Sequence, residues 1–589
     1  MTDINKLITD NIDVWSSAQL NANSSGRGAN KKRNLIGIKK LRELILELAF
    51  SGKLVNSDER EDFEQTLNEI NKQKIEFHSE KGVRVQAFKK LADEPSNLLV
   101  PNNWKVCYLD QVVNYITDFQ ANGSFATIKK NVTYFDSPNY ALLVRLTDLR
   151  HKLTDDSSYK YTDEHGYNFL SKSSVHGGEL VVANVGAGVG TTLLVPKIDM
   201  PATLAPNMFM IVLPELVDKE YFLYFSQSPQ YWRHINKVNT GTGQPKINKT
   251  EYKNCKFPLA PRKIQKLVVS KVKELMALCD QLEQQTEASI DAHQLLVEEL
   301  LSALTNSDNS QEFEQNWMRI TEHFDLLFTT EHSIEQLKQT ILQLAIMGKL
   351  VPQDPNDEPA SELLKRIAQE KEQLIKDKVI KKAKKLPDIS NEEIEFQIPQ
   401  SWSVTRLGDV TNYGSCDKAE LTDVDESCWV LELEDVEKVT SKLIKKVRVS
   451  ERQFKSSKNR FNSGDVIYGK LRPYLDKVLV ADENGVCTTE MIPIRSYYGI
   501  NSEYLRIVMK TPYFIEYANN STHGMNLPRM GTDKARLAPI IVAPVNEQAL
   551  IVSKVNQLIS ICEELKTAIK ITEEVNVELA EAVVMNALS

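Results

Sequence analysis

The chain has 589 residues, too many for one hydrophobic core, so several structural units are expected. It holds 80 acidic against 72 basic residues, a net charge of −8, which excludes indiscriminate, purely electrostatic binding of nucleic acid. Its sequence contains no run of eighteen apolar residues, which excludes a membrane-spanning helix, and its first thirty residues lack the apolar stretch of a secretion signal.

Residues 1–100 read as an N-terminal helical arm. Within it Leu41, Ile45 and Leu48 recur at i, i+4 and i+7, predicting an amphipathic helix over 37–51 that Gly52 stops. The words of that helix return later. LILELAFSGKLV, ending at Val55, is answered by TILQLAIMGKLV, ending at Val351, at an offset of 296.

A second landmark follows the first. VPNNWKVCYLDQVVN, around Trp104, matches IPQSWSVTRLGDVTN, around Trp402, and each opens a globular stretch, residues 101–260 and 399–544. In the first stretch GELVVANVG (178–186) reads as a glycine-led β run, followed by helix in KEYFLYFSQSPQYWRHINKV and by a polar loop, NTGTGQPKIN. In the second, GDVIYGKLRPYL (464–475), SEYLRIVMKTPYFIEYAN and STHGMNLPRMG occupy the same order. Both close on an extended proline stretch, FPLAP and IIVAP.

Residues 261–398 read as a central helical spacer and connector. Val272, Leu275, Cys279 and Leu282 step by three and four, as do Val555, Leu558, Cys562 and Leu565 in the C-terminal helix of residues 545–589. This is the spacing of a coiled-coil seam. At ~1.5 Å per residue a helix over 261–304 is a rod on the order of 60 Å long. TNSDNSQEFEQN (305–316) reads as a polar connector, and the lysine-rich KDKVIKKAKKLPD (376–388) as an exposed arm. The expected class is α+β, with two mixed α/β domains separated by long helices and a layout written twice.

Signatures of catalysis are missing. GAGVGTT (186–192) has phosphate-loop glycines but no lysine, and no H-E-x-x-H or nucleophile elbow occurs. DSPNY (136–140) is similar to the substrate loop of amino-methyltransferases, but Asn139 stands where the second proline belongs. Glu392-Glu393 is not followed by a nuclease-type E-x-K, and the seven cysteines form no C-x-x-C pair. Neither metal nor disulfides are indicated, and a reducing cytoplasm is the default location.

Contact groups remain. The two globular stretches together carry a net +3, leaving −11 for the helical remainder, so local DNA binding is permitted. The first offers Arg145, Lys152 and the loop residues Thr242, Gly243, Gln244, Lys246 and Asn248. The second offers Lys445 and Lys446 within KLIKKVRVSERQFKSSKNRF, then Lys470 and Arg472 on one face at strand spacing, then His523, Asn526 and Arg529. Arg and Lys match guanine edges, Asn and Gln match adenine, and glycine loops let backbone approach a phosphate.

The doubled ILxLAxxGKLV helix, the Pro-x-x-Trp motif, the GTGQ loop and the closing VSKVxxLxxxCxxL helix resemble the specificity subunit of type I restriction-modification systems, and the long N-terminal arm resembles its type IB branch. One departure is PRKIQK (261–266) where the second copy has PVNEQA (544–549). The resemblance implies two target-recognition domains, each reading half of a bipartite DNA site, on antiparallel coiled coils with pseudo-twofold symmetry. The 261–304 helix would pair with 331–351, and 545–588 with 37–51. It also implies two methyltransferase subunits and two motor-nuclease subunits as partners, to which S-adenosylmethionine, ATP and magnesium belong. The residues alone leave open a coiled-coil adaptor with two ligand-binding α/β domains. A standalone DNA-binding regulator is disfavoured, since no helix-turn-helix is apparent.

Overall fold

The computed structural model describes residues 4–20, 34–85, 98–241, 243–382, 384–390, 393–394, 396–524 and 526–588. They fall into two compact units, residues 1–288 with 573–589, and residues 289–572. Two helices of 44 residues, Arg262–Thr305 and Val545–Leu588, carry the chain from the first unit to the second and back. Among the described residues, no helix is long and apolar enough to cross a membrane.

In the first unit the helix Ile36–Phe50 buries Ile38, Leu41, Ile45 and Leu48 along one stripe. It ends because Gly52 takes φ +71°, and the Lys53 N–H then donates to the Leu48 carbonyl (2.9 Å), closing the last turn. The second unit repeats this with Glu331–Ile346, Gly348 at φ +69° and Lys349 donating to Leu344 (3.1 Å). Each glycine also faces the proline of the next landmark. A Cβ on Gly52 would lie 2.4 Å from the Pro101 ring, and one on Gly348 would lie 2.3 Å from the Pro399 ring. The GKLV and Pro-x-x-Trp words are thus two sides of one contact.

Each globular domain is closed at its neck by two antiparallel strands. Lys105–Tyr108 pairs with Lys256–Leu259, and Ser403–Arg406 with Pro539–Val542. Beyond the neck, strand order corresponds. In the first domain Leu180–Ala183 lies between Met208–Val212 and Thr192–Leu194; in the second, Val466–Gly469 lies between Met491–Ile494 and Val478–Val480. The other sheets each hold one parallel pair, Ala141–Val144 with Ala202–Leu204 and Trp429–Leu431 with Gly485–Cys487. The stretches read as helix after them are helix pairs, Lys219–Phe225 with Pro229–Val238 and Ser502–Met509 with Pro512–Asn520. Proline at the first helical position starts the second helix of each pair, capped by the Ser228 or Thr511 hydroxyl.

Helix pairing differs from expectation. In the second unit Gln336 donates to Glu298 (2.9 Å), and Lys349 donates to the carbonyl of Thr305 (3.2 Å). The contacts advance together, so Glu331–Ile346 runs parallel to the end of Arg262–Thr305, not antiparallel. Its antiparallel partner is Val545–Leu588, through Glu335 with Lys566 (2.9 Å) and Lys338 with Glu563. In the first unit Ile36–Phe50 likewise meets both long helices, Arg42 reaching Asp280 (2.6 Å) and Lys40 reaching Glu581 (3.1 Å). The reason lies in the segment read as a polar connector. Asn309 caps a helix over Ser310–Glu322, its side chain accepting from the Glu312 N–H (2.9 Å). That helix and the short one over Phe324–Leu327 fill the stretch before the next repeated helix, so the chain does not turn back at once.

The scaffold and the domain are continuous in the second unit, where Leu301, Ile341, Val555, Tyr468 and Leu505 share one core. In the first unit Phe50 enters an aromatic cluster, 5.1 Å from Tyr221 and 5.5 Å from Phe225. The departure between PRKIQK and PVNEQA is a local repacking. Gln265 and Gln548 make the same bonds, each donating to an alanine carbonyl, of Ala260 (2.8 Å) and Ala543 (2.9 Å). Buried Ile264 replaces buried Glu547, whose carboxylate accepts from the Trp402 indole N–H (2.5 Å). Burial pushes the Glu547 carboxyl above its ordinary range. Glu547→Gln keeps the acceptor and removes the charge, so its melting temperature should match or exceed the parent's. Glu547→Ala leaves the indole unpaired and should lose about 1–3 kcal/mol in urea unfolding.

Candidate nucleic-acid interface

In the first globular domain the chain leaves Leu180–Ala183 through a turn that ends at Gly190, whose carbonyl accepts from the Tyr231 hydroxyl (2.8 Å). The 239–247 loop folds into a small hairpin against that turn. Thr240 and Lys246 exchange two backbone hydrogen bonds (2.9 and 3.0 Å), Gly186 donates to the Pro245 carbonyl (2.9 Å) and Ile247 to that of Asn184 (3.0 Å). Gly241 sits at φ +120°, where a Cβ would lie 2.4 Å from the Gln244 carbonyl oxygen, so the tip requires glycine. Gly243, Gln244 and Lys246 are exposed on it, while Thr242 lies outside the described residues.

The second domain builds the same device from other residues. Thr522–His523 pairs with Arg529–Met530, Arg472 donates to the Pro528 carbonyl (2.7 Å) and Met530 to that of Lys470 (3.1 Å). Gly524, at φ +97°, stands where Gly241 stands. His523 and Asn526 are exposed. In both domains, then, a hairpin with a left-handed glycine is bonded onto the turn after the central strand.

The other sequence candidates are placed differently. The strand ends at Gly469 and Arg472 takes a left-handed φ of +53°, so Lys470 and Arg472 do not share a strand face as expected. The turn instead leaves the Arg472 Nε buried without a hydrogen-bond partner. Arg529 donates to Glu490 (2.9 Å). Asn248 caps the helix Lys249–Lys253, its side-chain Oδ1 accepting from the Glu251 N–H (2.9 Å). Arg145 is clamped by Asp148 (2.6 Å) and the Ser158 carbonyl (2.6 Å), whereas Lys152 is exposed at φ +51°.

The basic run of the second domain is largely neutralised within the fold. Lys445 pairs with Glu451 (2.5 Å), Lys446 with Asp482 (2.8 Å), Arg452 with Asp435 (2.5 Å), Arg448 with Glu483 and Lys458 with Glu432. The hydrogen bonds from Lys445 and Lys446 hold Glu451 and Asp482 below the usual carboxylate range. Lys446 also lies 4.6 Å from the centre of the Trp429 ring. Sequence reading missed Arg150, whose guanidinium lies 2.7 Å from where a Cβ on Gly188 would be, over the turn that carries the first hairpin. The glycines of GAGVGTT were its only signal. The buried cysteines Cys279 and Cys562 are pushed up to about 11 by burial, which leaves them thiols unsuited to attack.

The family model described as type I restriction modification DNA specificity domain matches residues 101–292. The EcoAI specificity subunit of a type I restriction enzyme from Escherichia coli is 39% identical over 422 residues, covering 70% of this chain and 68% of that one. The EcoEI specificity subunit from Escherichia coli is 39% identical over 417 residues, covering 69% and 67%. Among solved structures, the HsdS subunit from Thermoanaerobacter tengcongensis aligns over 83% of this chain and 98% of its own, at 15% identity and a TM-score of 0.38.

Proposed function

The chain belongs to the specificity subunits of type I restriction enzymes, and from that membership we infer that it is the DNA sequence-recognition subunit of a restriction-modification complex, without a catalytic centre of its own. Residues 101–260 read one half of an asymmetric bipartite site and residues 399–544 the other. The duplicated helices, related by a pseudo-twofold, hold the half-sites about one helical turn of DNA, roughly 34 Å, apart. Adenine methylation and cleavage fall to two methyltransferase and two motor-nuclease subunits, which use S-adenosylmethionine, ATP and magnesium, and the complex works in the cytoplasm. The relatives' names give no support to the adaptor reading.

One observation carries this reading: the same hairpin-on-turn device recurs in both domains with different displayed side chains, Gln244 and Lys246 against His523 and Asn526. Equal construction with unequal lettering is what two readers of dissimilar half-sites need. Base edges are told apart by the donor and acceptor groups presented to them, and phosphate contacts by backbone and lysine position the reader. Exchange of residues 101–260 for the corresponding domain of a relative, followed by methylome sequencing of the host, tests it. One half of the methylated target should change and the other persist. A change in both halves, or in neither, refutes the modular reading.

A further inference from the structure

Sequence-independent affinity for DNA comes from lysine and arginine on phosphates, yet the basic run of the second domain is engaged by its own carboxylates. The same unit carries lysines that are not. Lys376, Lys378, Lys381, Lys382 and Lys384 are all exposed, and none is ion-paired among the described residues. Lys385 makes only a loose pair, 3.5 Å, with exposed Asp388. The one acid within the run, Asp377, accepts instead from the Gln373 side chain (2.9 Å). Acids at i+3 or i+4 would support lysines on a solvated helix face, whereas this stretch leaves the helix Ala360–Lys376 and continues outside regular structure.

Its placement is fixed at the far end. Arg406 donates from Nε to the Pro387 carbonyl (3.1 Å) and from Nη2 to that of Asp388 (3.1 Å). The Leu386 side chain reaches within 3.1 Å of the Cβ position of Gly408, which equally faces the Arg536 side chain (3.0 Å). Arg536 ends the helix Thr532–Arg536, which begins two residues after the hairpin strand Arg529–Met530, and five helical residues span about 7.5 Å. The C-terminal end of the lysine segment is therefore anchored against Gly408, beside the Arg536 end of the short helix that leads out of the candidate reading hairpin.

We propose that the segment Lys376–Lys385 is a sequence-independent clamp on the DNA backbone flanking the half-site read by the second domain. The proposal rests on the recognition role above, to which it adds a source of affinity separate from the source of specificity. Each phosphate that a lysine neutralises releases condensed counterion, contributing about 0.9 to the slope of log K against log salt.

The test uses the full-length protein with its partner subunits. Lys381, Lys382, Lys384 and Lys385 are replaced together by alanine, and in a second variant by arginine. Fluorescence anisotropy between 50 and 200 mM salt compares the target duplex trimmed to its site, the same duplex extended beyond the second half-site, and a scrambled duplex. The alanine variant should lose about 2–4 of the slope on the extended duplex and bind it at least about tenfold more weakly. Its preference for target over scrambled duplex should stay intact, and the arginine variant should behave as the parent. An unchanged slope overturns the clamp, as does a loss confined to partner-subunit retention on gel filtration. A changed target preference overturns it too, since the segment would then be reading bases. If the parent itself does not prefer the target, the recognition role fails, and that result is distinct from the others.

Discussion

Replacement of Lys510 by methionine is expected to destabilise the second unit by about 3–5 kcal/mol, because it leaves a carboxylate buried without its counter-charge. The Lys510 ammonium has three acceptors, Asp476 Oδ2 (2.5 Å), Ser441 Oγ (2.7 Å) and the Val439 carbonyl (2.9 Å), and both ion-pair partners are buried. Val439, Ser441 and Asp476 all have positive φ, at +68°, +58° and +48°, so the ammonium also holds a backbone that would otherwise relax. Arg472 lies on the same turn, four residues before Asp476. The loss should appear in the urea midpoint and in faster hydrogen exchange at Tyr468 and Leu505. Lys510→Met combined with Asp476→Leu should recover most of it.

The pair also sets a pH signature. Burial pushes the Asp476 carboxyl up to about 6 despite Lys510. A carboxyl raised in the folded state favours folding when protonated, so its contribution is lost as pH rises from the unfolded value near ~4 to about 6. Across that window the parent's stability relative to an Asp476→Asn variant should fall. A flat difference would contradict the assignment.

The second large effect is expected at the helix stop. Gly348→Ala forces a Cβ into a left-handed conformation, φ +69°, and to within 2.3 Å of the Pro399 ring. Strain and overpacking together amount to about 2–4 kcal/mol. Pairing it with Pro399→Ala should relieve the clash and leave the backbone strain, a coupling of about 1 kcal/mol or more in a double-mutant cycle. Additive effects would mean that glycine and proline are not in contact.

The parts legible in the sequence were those written by local rules. Period and a glycine stop gave Ile36–Phe50 almost to the residue, the helix expected over 331–351 ends five residues early at Ile346, and seam spacing gave both 44-residue helices. The direction of helix pairing was not legible, because it depends on whether Ser310–Glu322 folds, and its asparagine cap lies inside a stretch that reads as polar connector. The basic run misled because its neutralising acids come from elsewhere in the chain, Asp482 and Glu483 for Lys446 and Arg448, Glu432 for Lys458. The Arg145 clamp was closer to hand, since Asp148 follows three residues later in a helix-start pattern. Of the contact loops, both glycine tips were visible, but the turns on which they are mounted belong to distant strands.

Because Lys105 stands opposite Leu259, and Ser403 opposite Val542, the chain leaves each domain where it came in. Insertions and deletions between those residues are absorbed without displacing the helices outside. New binding preferences can therefore arise by changes of length as well as of letter, while the surfaces offered to the rest of the assembly stay put.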